Sequence, residues 1–422
     1  MIVRIREYDK PVRLAVSKSQ AESLKSYSND LKARLGLPRQ PLAIIESAGN
    51  IYVSAAGFAG FFSVDGVRIE VAPKFLGGVR SEKWKDAFFL ILSKLERSYS
   101  DWSFGHGGFS SEIPDIAATI ITDTLELAEK LGDARKYIER RDALPLVRGR
   151  LVPSAYWERV VRPDKIICEF QDYSEDVAPN QLMKWALRVL IPEVSSESLL
   201  SRMERQIARL VNVSDARPPF HEHELRLSPQ FAYCKPGIDV AKMVAGNQLA
   251  GLDGGNSSNS IDLVWATAPI FEDFVFLLFD QSVRRLGGSV SKTSLPLATA
   301  SPAGAKNGDE SFSTTPDILI EIPRVKLLLD AKYKNLSKSP RNSDVYQVVT
   351  GSKLVEADLC GLIYPGLPRI RKRRRWSLLI PGKPKILEVF LVDLTEMGRK
   401  GGFDRLLNLI QEWLTDLAQE LR

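Results

Sequence analysis

The stretch Thr314–Lys334, TTPDILIEIPRVKLLLDAKYK, constrains the fold more than any other part of the chain. Its two apolar runs are too short for helices and Pro323-Arg324 separates them, which predicts two strands joined by a tight turn. In a regular hairpin turning there, Asp317 lies opposite Asp330. Directly opposed residues sit about 4.5–5.5 Å apart at Cβ, so two carboxylates can share a cation. The strand period puts Lys332 on the same face as Asp330. The other face carries Ile318, Ile320 and Ile322 against Leu329, Leu327 and Val325 and is expected in the core.

Two facing aspartates repel each other unless something positive stands between them. A divalent metal supplies that charge, and an adjacent lysine can orient an attacking water or help to deprotonate it. That is the chemistry of phosphodiester hydrolysis. Pro316-Asp317 followed by Asp330-Ala331-Lys332 resembles the PD-(D/E)XK nuclease signature. The resemblance implies that Asp317 and Asp330 are ligands of Mg²⁺, with Mn²⁺ as a candidate substitute, and that Lys332 is the catalytic lysine. An open strand edge would add the carbonyl of Ala331 to the ligands. The plain alternative is a surface hairpin with scattered charges, of which Glu321 opposite Lys326 is an example.

At 422 residues the chain is long enough for two or three domains. A hydrophobic content of 44% with 26% charged residues is that of a soluble globular protein. No apolar run approaches the roughly 18 residues that span a bilayer, and the N-terminus lacks a signal-peptide apolar block. Cys168, Cys234 and Cys360 are widely spaced, which argues against a disulfide framework and a cysteine zinc site. These features point to a reduced, cytoplasmic setting. Net charge is only +6, but Arg369 to Lys385 holds eight Lys or Arg and no acid. Within it, Arg371, Lys372, Arg373, Arg374 and Arg375 form either a solvated loop or a sequence-independent contact to DNA phosphates.

Residues 1–75 read as β-rich around a helix at Ser19 to Leu35, with a hairpin turning at Asp65-Gly66 and ending in Ala72-Pro73-Lys74-Phe75. Residues 82–142 read as mostly helical, and His106 sits in a Gly-rich turn where a lone histidine is usually incidental. His221-Glu-His-Glu224 lacks the i,i+4 pair of a zinc hydrolase helix. Asn247 to Ser260 and Ala298 to Ser313 read as polar loops. An apolar helix is expected from Trp265 to Leu286, and further helices at 343–356 and 403–421.

Three more motifs are Arg148-Gly-Arg-Leu151, the Glu169-Phe170 strand and Asn180 opening an amphipathic helix. With Val67-Arg-Ile-Glu-Val-Ala-Pro-Lys74, Asp344-Val-Tyr-Gln347 and Gly361-Leu-Ile-Tyr-Pro365, they resemble the McrC family, nuclease subunits of 5-methylcytosine-type restriction systems. The resemblance touches roughly residues 58–75 and 144–365. It implies Gln347 as support for the metal-site water and Glu272 as an auxiliary acid. The cost of burying Glu272 among Phe271, Phe274 and Val275 also favours a metal-facing role. It further implies a hexameric AAA+ GTPase or ATPase partner of the McrB type. The other implied partner is double-stranded DNA, with methylated DNA among the candidates, and no membrane is implied. The chain has no G-x-x-x-x-G-K-[ST] loop, so it is not the motor.

The expected fold is an α+β N-terminal half followed by an α/β PD-(D/E)XK restriction-endonuclease-like domain with a mixed sheet. The helix-strand order αβββαβ from residue 265 to 364 fits that core. The expected divisions are 1–145 (docking to the motor), 146–260 (connecting) and 261–422 (nuclease). The expected function is a Mg²⁺-dependent DNA endonuclease subunit of a modification-dependent anti-phage system. Its rivals are a non-catalytic nucleic-acid-binding or assembly subunit and a nuclease that needs no motor.

Overall fold

The computed structural model describes residues 2–47, 49–76, 84–95, 112–152, 164–221, 223–252, 262–292, 294–298, 312–323, 325–334, 336, 339–366 and 374–420. His106, Arg371, Lys372 and Arg373, and most of the two polar loops, lie outside them. The chain forms two compact units, one of residues 1–110 with 264–422 and one of residues 111–263. The β-rich N-terminal segment therefore belongs to one unit with the C-terminal sheet, an arrangement that successive divisions at 145 and 260 do not describe.

In the first unit, strand Ile2–Arg6 pairs in parallel with Val67–Ala72, which forms a hairpin with Phe58–Val64. The hairpin turns at Asp65 (φ 48°) and Gly66 (φ 75°), two left-handed positions that fit the twist of the flanking strands. The fourth strand of this sheet is Asp262–Ala266. A helix is expected to begin at Trp265, but pairing with Phe58–Val64 holds Asp262–Ala266 as a strand and the helix starts at Thr267, running to Arg285. Helix Lys18–Arg34 opens on a capping box between Ser17 and Gln20. Its Leu24 and Leu31 join the core of Val53, Phe58, Phe62, Ile69 and Val71.

The second sheet of this unit has six strands. Their order is Ser289–Ser291, Ile318–Ile322, Val325–Ala331, Leu359–Pro365, Ile386–Val392 and Arg374–Ser377. The three central strands run parallel and the outer pairings are antiparallel, so the sheet is mixed. The 289–297 region forms two short strands, the second (Leu295–Ala298) pairing instead with Phe312–Thr314. Period-two alternation splits the six-stranded sheet's faces. Leu328, Leu362, Tyr364, Leu387 and Val389 pack with Val348 of helix Asn342–Leu354. On the other face Phe390 meets Phe279 and Trp413 of helices Thr267–Arg285 and Gly402–Glu420.

Trp413 is 2% exposed and its indole N–H donates to Glu388 Oε1 at 2.8 Å. Trp413→Ala should cost about 3–5 kcal/mol, read as a lower denaturant midpoint. A loss below 1 kcal/mol would contradict this packing.

The second unit gathers helices Ile113–Leu131, Ala178–Leu190, Glu197–Arg209 and Lys235–Leu252 beside a three-stranded sheet. The stretch after Leu131, expected as mostly helical, is strand Lys136–Leu144, paired along its whole length with Ile166–Ser174. The Gly-rich stretch from Asn247 is helical as far as Leu252. Gly149 of the Arg-Gly-Arg-Leu motif has φ 69°, and a Cβ there would lie 2.4 Å from the Glu169 carbonyl. Only glycine fits that approach. Asn180 is buried and its amide donates to the carbonyls of Ala134 (2.9 Å) and Glu175 (2.8 Å), pinning the helix start. No helix among the described residues is long and apolar enough to cross a membrane.

Candidate active site

The hairpin has the register read from its sequence: Ile318 pairs with Leu329 and Ile322 with Val325. One step further, Asp317 stands beside Asp330 at the open end of the hairpin. Ile318, Ile320, Ile322, Val325, Leu327 and Leu329 are all buried. Helix Asn342–Leu354 also covers the aspartate face over Leu328, so the acidic pair lies only at the strand end.

Asp330 is 2% exposed, the kind of buried charge that persists only with partners. Lys332 Nζ makes close contact with its Oδ2. The same ammonium donates to Gln347 Oε1 at 2.9 Å, across from the helix. Asp317 Oδ2 accepts the Ala331 backbone N–H at 2.8 Å. Burial first, and then the charge of Asp330, pushes the Asp317 carboxyl up to about 7, while the Ala331 N–H pulls the other way. A cation placed between the two carboxylates would relieve the repulsion that raises Asp317.

Glu272 is half-buried on helix Thr267–Arg285, whereas its neighbour Asp273 is exposed. Burial raises the Glu272 carboxyl; Lys292 opposes the shift, Asp330 adds to it and Lys332 opposes it. Asp317, Asp330, Lys332, Gln347 and Glu272 are thus brought to one end of the sheet from four elements. Asp344 faces the site's rim: its carboxylate accepts Lys334 Nζ at 2.8 Å and the Tyr364 hydroxyl at 3.4 Å. Burial and this carboxylate hold the Tyr364 phenol well above its ordinary range. Lys292 carries no signal in the sequence, and the site contacts of Lys334 and Tyr364 depend on Asp344, which the fold brings to them.

Among the described residues no group of three or more His, Cys, Asp or Glu side chains is poised to bind a metal. Two carboxylates suit Mg²⁺, which keeps several waters and needs few protein ligands. Of the basic run at 371–375, Arg374 and Arg375 are among the described residues. Arg375 Nε donates to Glu388 at 2.7 Å and its Nη1 meets Glu420 at 2.6 Å, so its guanidinium is turned to protein carboxylates rather than to a phosphate. Arg374 lies on the same edge strand, Arg374–Ser377.

The fold and the site define an α+β protein with an acidic pair and a lysine at the end of a central strand. The chain belongs to the family described as McrBC 5-methylcytosine restriction system component, whose family model matches residues 53–365. Its fold is similar to that of a chain from the refined half-complex of a tetradecameric assembly of Thermococcus gammatolerans McrB AAA+ hexamers with bound McrC. That likeness has a TM-score of 0.69 at 15% identity, covering 97% of this chain and 100% of that one. A second likeness is to a chain of the T. gammatolerans McrBC complex, with a TM-score of 0.50 at 13% identity over 67% of this chain and 88% of that one. No curated protein matches.

Proposed function

We propose that this chain is the Mg²⁺-dependent DNA endonuclease subunit of a McrBC-like restriction system. In this reading residues 264–422 carry a PD-(D/E)XK core, and an AAA+ NTPase of the McrB type is the motor partner. The observation that carries the reading is the buried Asp317–Asp330 pair at the strand end, with Lys332 touching Asp330, in a chain of this family.

Asp317, Asp330 and the carbonyl of Ala331 are the groups that would hold Mg²⁺ or Mn²⁺. When bound, the metal supplies positive charge for the phosphate's developing negative charge. Lys332, fixed between Asp330 and Gln347, orients the attacking water opposite the leaving oxygen. Water attack forms one P–O bond as the bond to the leaving sugar oxygen breaks; the water's proton passes to solvent through the lysine–carboxylate network, and the leaving oxygen takes a proton from solvent. Glu272, with its raised affinity for a proton, acts as an auxiliary acid beside the pair. Contacts to phosphates from the basic run would position the duplex without reading its sequence.

The test is supercoiled plasmid, methylated and unmethylated, incubated with the chain, Mg²⁺, the encoded AAA+ partner and nucleotide. Nicking or linearisation that requires Mg²⁺ and the partner is expected. Cleavage without the partner would favour a motor-independent nuclease. A gel shift without cleavage under every condition would leave a binding subunit.

A further inference from the structure

The strand that carries Asp330 is held at its exit by residues from the far N-terminal sheet. Lys332 N–H donates to the Ile363 carbonyl at 2.7 Å, the last bond to the neighbouring strand. The next residue, Tyr333, is buried, and its carbonyl accepts Lys74 Nζ at 2.8 Å. The Lys74 ammonium also stands 3.9 Å from the Tyr333 ring centre and 4.4 Å from that of Tyr8. The Tyr333 hydroxyl donates to Glu7 Oε2.

Glu7 is 1% exposed and its carboxylate binds the start of a second site element as well. Its Oε1 accepts the Thr267 hydroxyl and the Gly57 N–H, both at 2.8 Å. Thr267 is the first residue of the helix that carries Glu272. Phe75, next to Lys74, packs against both Tyr333 (5.5 Å between ring centres) and Phe271 (6.2 Å). A buried carboxylate with every partner in place fixes one geometry, because losing a partner leaves a charge uncompensated. Glu7 and Lys74 therefore tie the exit of one site-bearing strand to the start of one site-bearing helix.

We propose that Glu7 and Lys74 are positioning residues for the catalytic centre, aiming Lys332 through Tyr333 and setting Glu272 through Thr267. The proposal rests on the nuclease reading above. It makes the N-terminal sheet part of the centre's scaffold, beyond any role in docking. Neither residue touches the reacting atoms, so their loss should act on rate and not on metal or DNA affinity. A misplacement of about 1 Å in a reacting group can cost about 100-fold.

The experiment uses the full chain with its AAA+ partner, nucleotide and Mg²⁺. Single-turnover cleavage, the half-saturating DNA concentration, calorimetric Mn²⁺ binding and the thermal melt are measured for wild type, Lys74→Met, Tyr333→Phe and Lys184→Met. Tyr333→Phe removes only the hydroxyl that reaches Glu7 and keeps the ring packing. Lys184 is an equally buried lysine in the other unit, where its ammonium donates to the Leu210 and Val213 carbonyls. Lys74→Met and Tyr333→Phe are expected to slow single-turnover cleavage about 10–100-fold, with half-saturation and Mn²⁺ affinity unchanged. Lys184→Met is expected to lower the melt while the folded protein cuts at the wild-type rate. Wild-type rates in folded Lys74→Met and Tyr333→Phe, or losses that only follow the unfolded fraction, overturn the positioning proposal and leave the nuclease reading standing. A wild-type chain that binds DNA but never cuts overturns the nuclease reading, and this proposal with it.

Discussion

Asp330→Asn is expected to abolish cleavage while the protein stays folded, and to change how its stability responds to pH and Mg²⁺. Asparagine keeps the volume and one acceptor at a nearly inaccessible position but removes the charge that faces Asp317. The metal-free wild type carries a strained pair. The Asp317 carboxyl ordinarily titrates near 3.8 and is held at about 7 in the fold, so between those values the native state binds more protons than the unfolded chain. Stability without metal must then fall as pH rises through that window. Mg²⁺ should restore it by binding only the native state. In Asp330→Asn the burial of Asp317 persists but its charged neighbour is gone. The metal-free melt should therefore be flatter with pH and, at pH 8, no lower than that of wild type. Added Mg²⁺ should raise it little. Thermal melts from pH 4 to 8, with and without Mg²⁺, beside the plasmid assay, decide the matter. An Asp330→Asn protein that is folded and still cuts removes this mechanism.

What the sequence disclosed was whatever depends on short-range pattern. Alternation and the Pro323 turn specify the hairpin register, because a slip of one residue would turn Ile318, Ile320 and Ile322 out of the core. That register alone puts Asp317 beside Asp330, and the helical spacing of residues 342–354 brings Gln347 to Lys332. What stayed hidden depends on partners far away in the chain. Glu7 is one charge among several near the start of the chain, yet its partner Tyr333 lies 326 positions on. Trp265 and Ala266 read as the start of an apolar helix until Phe58–Val64 is there to pair with strand Asp262–Ala266. Arg375 looks equivalent to Arg374 in a basic run, and only the fold brings Glu388 and Glu420 to it. Local periodicity carries no record of such contacts, and propensity yields to them.

Lys332→Met should separate water positioning from metal binding, two roles that the aspartate variants leave entangled. Methionine keeps most of the apolar stem and removes the ammonium that now touches Asp330 and Gln347. If that ammonium orients or helps to deprotonate the attacking water, cleavage should fall about 10²–10⁴-fold, the usual contribution of a proton-transfer group. The effect on the acidic pair runs the other way. Without the lysine, Asp317 faces Asp330 with less positive charge nearby, so Asp317 should hold its proton, or the pair a divalent cation, more tightly. The metal-free loss of stability with rising pH should steepen, opposite in sign to the change expected in Asp330→Asn. Calorimetric Mn²⁺ affinity should be equal to or tighter than that of wild type. Wild-type cleavage by Lys332→Met would show that the lysine only neutralises Asp330. Slow cleavage with weakened Mn²⁺ binding would show instead that the ammonium is needed to shape the carboxylate pair. Slow cleavage with Mn²⁺ binding retained is the result that assigns Lys332 to the water.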